Sequence, residues 1–397
     1  MKAVFAHDHF LYTGIDQQVY SEVGFDYPMW ERYLKNFDQL TIASRLVEDP
    51  QLRSPNAKLR SSGDRVQFVS LPNLSNPRTR LTAMPIARRR MREVLQAADA
   101  VIVRLPSEVG LLAIKEAQAM NIPWAVEVVG DAWGAYWNYQ TLAGRLYAPV
   151  AYMRHRKWIR RAKYAIYVTK HYLQKRYPST GVVEHASNVQ LTLDHTFDIR
   201  KRIELLKSYE GGALRVGLIG YLNDYKGIDT AIEALKRVLE QIPQCELHIV
   251  GKGDTEKYRQ LAESMGIGNR VIFHGVLLPQ ALMEWLHGLD LYIQPSRTEG
   301  LPRALIEAMS TGCPAIGSSA GGIPELLDHE ALHRPGDEKG LAERMLHALT
   351  NIDWRLQQAL VVIQRAAEYD INRLEARRDG FWRSFAEYAQ REKEGHL

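Results

Sequence analysis

Short apolar runs recur along the chain, each closed by a polar or glycine-containing break and most followed by a segment of helical period. In the first half they are Ala3–Ala6, Leu40–Ala43, Val66–Leu71, Ala100–Arg104, Trp124–Val129 and Tyr164–Val168. In the second half they are Leu214–Gly220, Glu246–Gly251, Val271–Gly275, Leu291–Gln294 and Pro314–Gly317. Unbroken apolar runs of this kind predict strands covered on both faces. The segments between them, Glu108–Met120 and Thr230–Leu239 among them, predict helices. Strands alternating with helices imply parallel sheets with helices on both sides, an α/β class. A chain of 397 residues is too long for one ordinary core and suits two such domains. The polar stretch from about 188 to 212, ending in Gly211-Gly212, divides them. The expected layout is a first domain over 1–190, a linker over 191–212 and a second domain over 213–375. From Asp353 onward the chain is poor in Gly and Pro, and Leu356, Leu360, Ile363, Phe381, Phe385 and Tyr388 mark helix faces.

The densest chemistry follows the strand predicted at Leu291–Gln294. Ser296 to Met309 reads Ser-Arg-Thr-Glu-Gly-Leu-Pro-Arg-Ala-Leu-Ile-Glu-Ala-Met. Pro302 suits the first turn of a helix, where its missing N–H is no loss. Free N–H groups at such a helix start favour an anion, and Gly300 allows close backbone approach. Glu307 falls among Leu305, Ile306, Ala308 and Met309, so it is predicted on a largely buried helix. A buried carboxylate needs a partner, either a nearby Arg or a pair of sugar hydroxyls. Gly312 to Gly317 then predicts a further turn and strand, and Gly321-Gly322-Ile323-Pro324-Glu325 a second glycine turn opening a helix. Adjacent strand–loop–helix units with loop glycines suit a nucleotide site in an open sheet.

This block resembles the retaining glycosyltransferases of family 4, and the first-half segment 104–139 resembles those of bacterial capsule and exopolysaccharide assembly. Their signature is two glutamates eight residues apart, Gly and Pro after the first, and a later Gly-Gly-x-x-Glu; Glu299, Gly300, Pro302, Glu307, Gly321, Gly322 and Glu325 fit it without insertion. The resemblance implies the GT-B fold, two Rossmann-like domains facing a central cleft, with the last helix, 376–397, returning to the first domain. It implies that Glu299 contacts the transferred sugar and Glu307 the ribose, while the backbone of Gly300, Leu301, Pro302 and Arg303 faces the donor. Lys226-Gly227, after the strand at Leu214–Gly220, matches the family's Lys-Gly on the donor pyrophosphate. Tyr221 stands where the family has an Arg, so another cation is expected to replace it, Arg303 ahead of Arg297. Gly251 would shape the nucleotide pocket and Val276 meet the base through its backbone. Gly14 would take the place of the family's glycine pair near the donor phosphate. Asp131, the candidate catalytic residue of the first domain, stands near the point where many relatives have a His, with Glu127 as the alternative inward-facing carboxylate.

The remaining features mostly narrow this expectation. His7 and His9 form a His-x-His in what reads as a loop after the first strand. No further ligand cluster follows at zinc spacing, and no Asp-x-Asp is present, so no metal and no cofactor beyond the donor is expected. Cys245 and Cys313 sit alone in apolar segments and read as reduced core residues. Neither a signal peptide nor a span-length apolar run is visible, which predicts a cytoplasmic protein. Two acid-free clusters, Arg78, Arg80, Arg88, Arg89, Arg90 and Arg92, then Arg154, Arg156, Lys157, Arg160, Arg161 and Lys163, read either as solvated helix faces or as contacts with an anionic membrane. Nucleic acid is not expected. The predicted activity is metal-independent transfer, with retention, from a UDP- or GDP-sugar to a hydroxyl of a glycan or lipid-linked acceptor, in bacterial surface polysaccharide biosynthesis. Two other readings compete: a sugar-nucleotide 2-epimerase of the same fold, and a non-catalytic binder of anionic lipid or nucleic acid.

Overall fold

A computed structural model describes residues 1–22, 24–48, 59–75, 77–137, 142–192, 199–207 and 212–395. The chain forms two compact units: Met1–Ala132 with Ala151–Ala186 and Glu375–Leu397, and Trp133–Val150 with Ser187–Leu374.

In unit 1 the described strands are β1 (Lys2–Thr13), β2 (Val19–Ser21), β3 (Gln39–Glu48), β4 (Leu59–Arg60), β5 (Val66–Ser70), β6 (Ala100–Leu105), β7 (Trp124–Val128), β8 (Tyr164–Tyr167) and β9 (Val182–His185). They form one sheet in the order β4-β2-β1-β6-β7-β8-β9, with β3 against β1 and β5 against β3. Pairing is parallel except where β2 turns back on β1 and meets β4. The apolar strands β6 and β8 are buried along their whole length, as unbroken runs require.

The first strand departs from expectation. It does not end at Ala6 but continues through His7, Asp8 and His9 to Thr13, with its register against β3 shifted between Ala6 and Phe10. Ser44 supports this detour by donating to the carbonyls of His7 and His9, at 3.0 and 2.6 Å. Both imidazoles stack on Phe25, with centroids at 5.4 and 4.2 Å. His7 Nδ1 meets the Arg104 carbonyl at 3.1 Å and His9 Nε2 meets Ser21 Oγ at 2.9 Å. Burial lowers the His7 pKa to about 3 and that of His9 to about 4, so both rings pack as neutral groups.

The C-terminal helix, Ile371–Gly395, packs into unit 1 from Glu375 onward. Trp382 lies edge-on to Tyr33 at 5.2 Å, and Tyr164 contacts Phe381 and Phe385 at 5.8 and 5.4 Å. Arg32 binds Glu375 at 2.7 Å, and the nearly inaccessible Arg378 shares that carboxylate.

Unit 2 contains β10 (Leu214–Ile219), β11 (Cys245–Val250), β12 (Val271–Gly275), β13 (Leu291–Gln294), β14 (Ala315–Ser318) and β15 (Leu332–His333). All described pairings are parallel, in the order β12-β11-β10-β13-β14-β15. Strand order reverses between β10 and β13, the switch point at which open α/β sheets bind ligands. Cys245 and Cys313 are buried, which pushes their thiols up to about 12 and about 11.

Two boundaries differ from the layout read in the sequence. Residues 133–150, expected in the first domain, group with unit 2. The expected linker contains a helix, Ile199–Lys207, that packs into unit 2, while 193–198 and 208–211 lie outside the described residues. The helix is held by Arg202, whose guanidinium donates to the carbonyls of Leu286, His287, Leu289 and Thr311 at 2.7–3.2 Å. These carbonyls lie at the ends of the helices Pro279–His287 and Arg303–Ser310, where free acceptors and the helix dipole favour a cation.

Arg202→Ala should remove a buried donor from all four carbonyls at once. We expect a loss of roughly 3 kcal/mol in urea unfolding of the full chain. A loss below about 0.5 kcal/mol, typical of a surface substitution, would show that the clasp is dispensable.

Candidate active site

The loops after β10 and β13 meet at the switch point. After β10 the chain makes a single turn of 3₁₀ helix, Asp224–Lys226, and enters the helix Ile228–Val238 through Gly227. Gly227 has φ +70°, and a Cβ there would sit 2.2 Å from the Pro295 carbonyl, so the turn is pressed against the end of β13. Arg297 fastens it from the other side. Its terminal nitrogens bind both carboxylate oxygens of Asp229 at 2.8 Å, and it also donates to the Asp224 carbonyl. Arg297, expected at the donor, is thus paired with Asp229 and the Lys226 turn.

Lys226 Nζ binds Glu299 Oε1 at 2.6 Å. Burial pulls the lysine pKa down, but Glu299 more than reverses this and holds it above its usual value. The same carboxylate oxygen accepts from Ser296 Oγ at 2.8 Å and Gln294 Nε2 at 3.3 Å. Gln294 in turn accepts from Tyr292 at 2.8 Å. Three donors thus converge on Oε1, and no described side chain bonds Oε2. The glycine pair buttresses this loop from below. Gly322 N–H donates to the Gly300 carbonyl at 2.8 Å, and a Cβ on Gly321 (φ +59°) would lie 2.1 Å from the Glu299 carbonyl.

The following helix, Arg303–Ser310, starts after Pro302 with no side-chain cap. Leu301 and Pro302 are buried beneath its start, while Arg303 is exposed. The carboxylate of Glu307, half-buried on the helix, has no hydrogen bond or ion pair to a described residue. Burial raises its pKa, and Arg303, the nearest compensating charge, only partly offsets this. Lys226 also senses Arg303, so one exposed guanidinium is electrostatically coupled to both. Gly251 closes β11, and its N–H donates to the Gly275 carbonyl at 2.7 Å. Val276, just beyond, is 71% exposed.

Unit 2 therefore brings together Lys226, Glu299, Gly300, Leu301, Pro302, Arg303 and Glu307, with Gly251 and Val276 at neighbouring strand ends. Asp131 and Gly14 belong to unit 1. Gly14 lies in the hairpin between β1 and β2, where its N–H donates to the Gln18 carbonyl at 2.9 Å. Asp131 is buried, and it accepts from Arg176 Nε at 2.9 Å and from the Tyr177 and Tyr172 hydroxyls. Glu127 is likewise buried, under Tyr33 at 3.0 Å and Arg104 at 3.5 Å. Asp131 is thus held inside the unit, whereas Glu127 Oε2 is buried with the Arg104 ion pair beside it and no hydrogen bond. Sequence reasoning missed Gln294, Ser296 and Asp229. The signal for the first two was a period-2 row of polar tips, 292, 294 and 296, ending an apolar strand; Asp229 carried none.

Residues 213–351 match the family described as Glycosyl transferases group 1. Over 385 residues, 96% of this chain and 94% of that protein, the sequence is 30% identical to Protein CapJ of Staphylococcus aureus. It is 35% identical over 144 residues to the amylovoran biosynthesis glycosyltransferase AmsK of Erwinia amylovora, a match that covers 34% of this chain and 35% of that one. The solved structure of HepE from Anabaena, in complex with UDP and glucose, superposes with a TM-score of 0.64 at 16% identity, covering 98% of this chain and 99% of that one. At that identity the likeness is one of fold.

A carboxyl with a raised folded pKa is ionised at a cost, present above that pKa and absent below the unfolded one. Glu307→Gln should therefore raise the melting temperature at pH 7, with the gain fading towards pH 4. Arg303→Ala should move the Glu307 midpoint higher still in carboxyl-carbon NMR. A midpoint below the usual 4.5 would contradict the burial seen here.

Proposed function

This chain belongs to the group 1 glycosyl transferases and has the GT-B fold, and we propose that it transfers a sugar from a nucleotide diphosphate donor to an acceptor hydroxyl with retention and without a metal. The observation that carries the reading is Glu299: three donors hold one of its oxygens and leave the other for a ligand, within reach of the buried Lys226. Vicinal ribose hydroxyls would supply the donors that Glu307 lacks. Lys226, Arg303 and the N–H groups at the start of the helix Arg303–Ser310 would take charge developing on the leaving diphosphate, with Arg303 filling the role left by Tyr221. As the bond from the sugar carbon to the phosphate oxygen breaks, the acceptor oxygen bonds to that carbon from the same face. Its proton passes to a diphosphate oxygen. UDP- and GDP-sugars are the donors to test first; UDP is the nucleotide in the HepE complex.

The acceptor is assigned to unit 1 and taken as a glycan or lipid-linked hydroxyl in surface polysaccharide assembly, by analogy with AmsK, which is named for amylovoran biosynthesis. A cavity of about 360 Å³ opens there beside Phe10, Tyr12, Glu22 and Arg45. An aromatic face beside charged groups suits a sugar ring. For the membrane, the two basic clusters are unequal. Arg80 and Arg154 clasp Glu108, and Arg88 and Arg92 clasp Glu116; both glutamates are buried. Arg80, Arg88 and Arg92 are thus tied to buried carboxylates that offset part of their charge, and the Arg78 side chain lies outside the described residues. Lys157 and Arg160 stay exposed on the helix Leu142–Arg161, on the face of the 64% exposed Met153. That face is the one assigned to anionic lipid. No described helix is long and apolar enough to cross a membrane.

Release of nucleoside diphosphate across a donor panel, in the presence of EDTA, tests the activity. Glu299→Gln and Arg303→Ala should each lower kcat on the order of 10²-fold, whereas Glu307→Ala should mainly raise the donor KM. Near-wild-type kinetics for all three would remove the site assignment, and an epimerised donor without acceptor would favour the epimerase. Vesicle binding should need anionic lipid, weaken as salt rises, and fall when Lys157 and Arg160 become Ser. Salt-insensitive binding would assign these residues to solvent alone.

A further inference from the structure

Away from the reacting centre, three polar side chains form a line across the edge of the unit 2 sheet. Glu246 and His248 project from one face of β11, and His274 from the neighbouring β12. His248 Nε2 lies 3.2 Å from Glu246 Oε2, and His248 Nδ1 lies 2.9 Å from His274 Nε2. The imidazoles are stacked, with centroids at 5.2 Å and planes 14° apart. The carboxylate can only accept, so His248 carries its proton on Nε2 and offers a lone pair at Nδ1. His274 must then donate from Nε2. One chemical arrangement satisfies the whole line.

His274 is also the residue at which the two strands lose register. Ile249 pairs with Phe273 but Val250 pairs with Gly275, leaving His274 as the extra residue of a bulge. Bulges re-aim a strand end. Here the re-aimed residues are Gly275, whose carbonyl holds the Gly251 amide, and Val276, left 71% exposed. Leu278, two residues on, is 77% exposed. Two large apolar side chains in water beside a pinned turn provide a surface that a flat, weakly polar ring would cover. Trp285 lies in an edge arrangement with the exposed His274, with centroids at 5.9 Å. Burial keeps both imidazoles below their usual pKa, and Arg215 opposes their protonation further.

We infer that the Glu246–His248–His274 line is a positioning device that sets the Gly275–Val276 turn against the nucleobase of the donor. This deepens the donor site proposed above and rests on it. The two histidines touch neither the transferred sugar nor the diphosphate, so their contribution is to binding of the base alone.

Calorimetric titration of the full chain with UDP, GDP and inorganic pyrophosphate tests this. His274→Ala should weaken the preferred nucleoside diphosphate ~10-fold, about one hydrogen bond's worth of positioning, and leave pyrophosphate within ~2-fold. His248→Gln can accept from His274 and donate to Glu246 at once, so it should recover most of the loss seen in His248→Ala. Turnover at saturating donor should be unchanged while KM rises. Equal losses for pyrophosphate and nucleotide would reduce the line to a structural contact. Unchanged nucleotide affinity in His274→Ala would overturn the inference and leave the donor site standing. A wild-type chain that binds no nucleoside diphosphate would remove both.

Discussion

The bond between Lys226 and Glu299 joins the two loops at the strand-order reversal of unit 2, and most of the surrounding geometry serves to make it possible. An ammonium and a carboxylate taken out of water must find each other or be neutralised. For them to meet, the turn carrying Lys226 has to lie against the end of β13, which Gly227 permits and Arg297 enforces through Asp229. The loop carrying Glu299 has to stay low, which Gly321 and Gly322 secure from the adjacent crossover. Motif residues that look independent along the chain are thus consequences of one buried pair. Because Ser296 and Gln294 crowd the same oxygen, the pair also has a direction, with one side of Glu299 closed and the other open to a ligand.

Unit 1 handles its buried charges in the opposite manner, leaving little unpaired. Glu108 and Glu116 sit on the helix Glu108–Ala119, each gripped by arginines from elsewhere. Arg32, Glu375 and Arg378 do the same where the C-terminal helix packs. Satisfied networks of this sort make a rigid scaffold and offer nothing to a ligand. In unit 2, by contrast, the Glu307 carboxylate remains desolvated without a hydrogen-bond partner. Such a group is tolerated in a ligand-free fold only at some cost in stability, and the contrast is why Glu307, and not the acids of unit 1, is the candidate for meeting a substrate.

Much of this was legible in the residues, and some was not, for physical reasons. Unbroken apolar runs and the helices between them specify strands buried on both faces, since nothing else covers them, and that pattern alone led to paired α/β units. The spacing of Glu299, Gly300, Pro302, Glu307 and the glycine pair marked the site, because strand–loop–helix geometry is local. Distance in sequence hid the rest. Residues 78–92 contain no acid, yet Arg80, Arg88 and Arg92 meet glutamates more than twenty residues away. Arg297 was the second candidate after Arg303, and nothing nearby in the chain shows that Asp229, 68 positions earlier, pairs with it. His7 and His9 read as a loop because nothing nearby shows that Ser44 and Phe25 extend the strand beneath them. Periodicity and local motif chemistry are properties of a few consecutive residues, so the sequence by itself determined the layered fold and the loops that bear the site. Which charges are free to meet a ligand depends on partners brought in by other elements, and only the tertiary structure decided that.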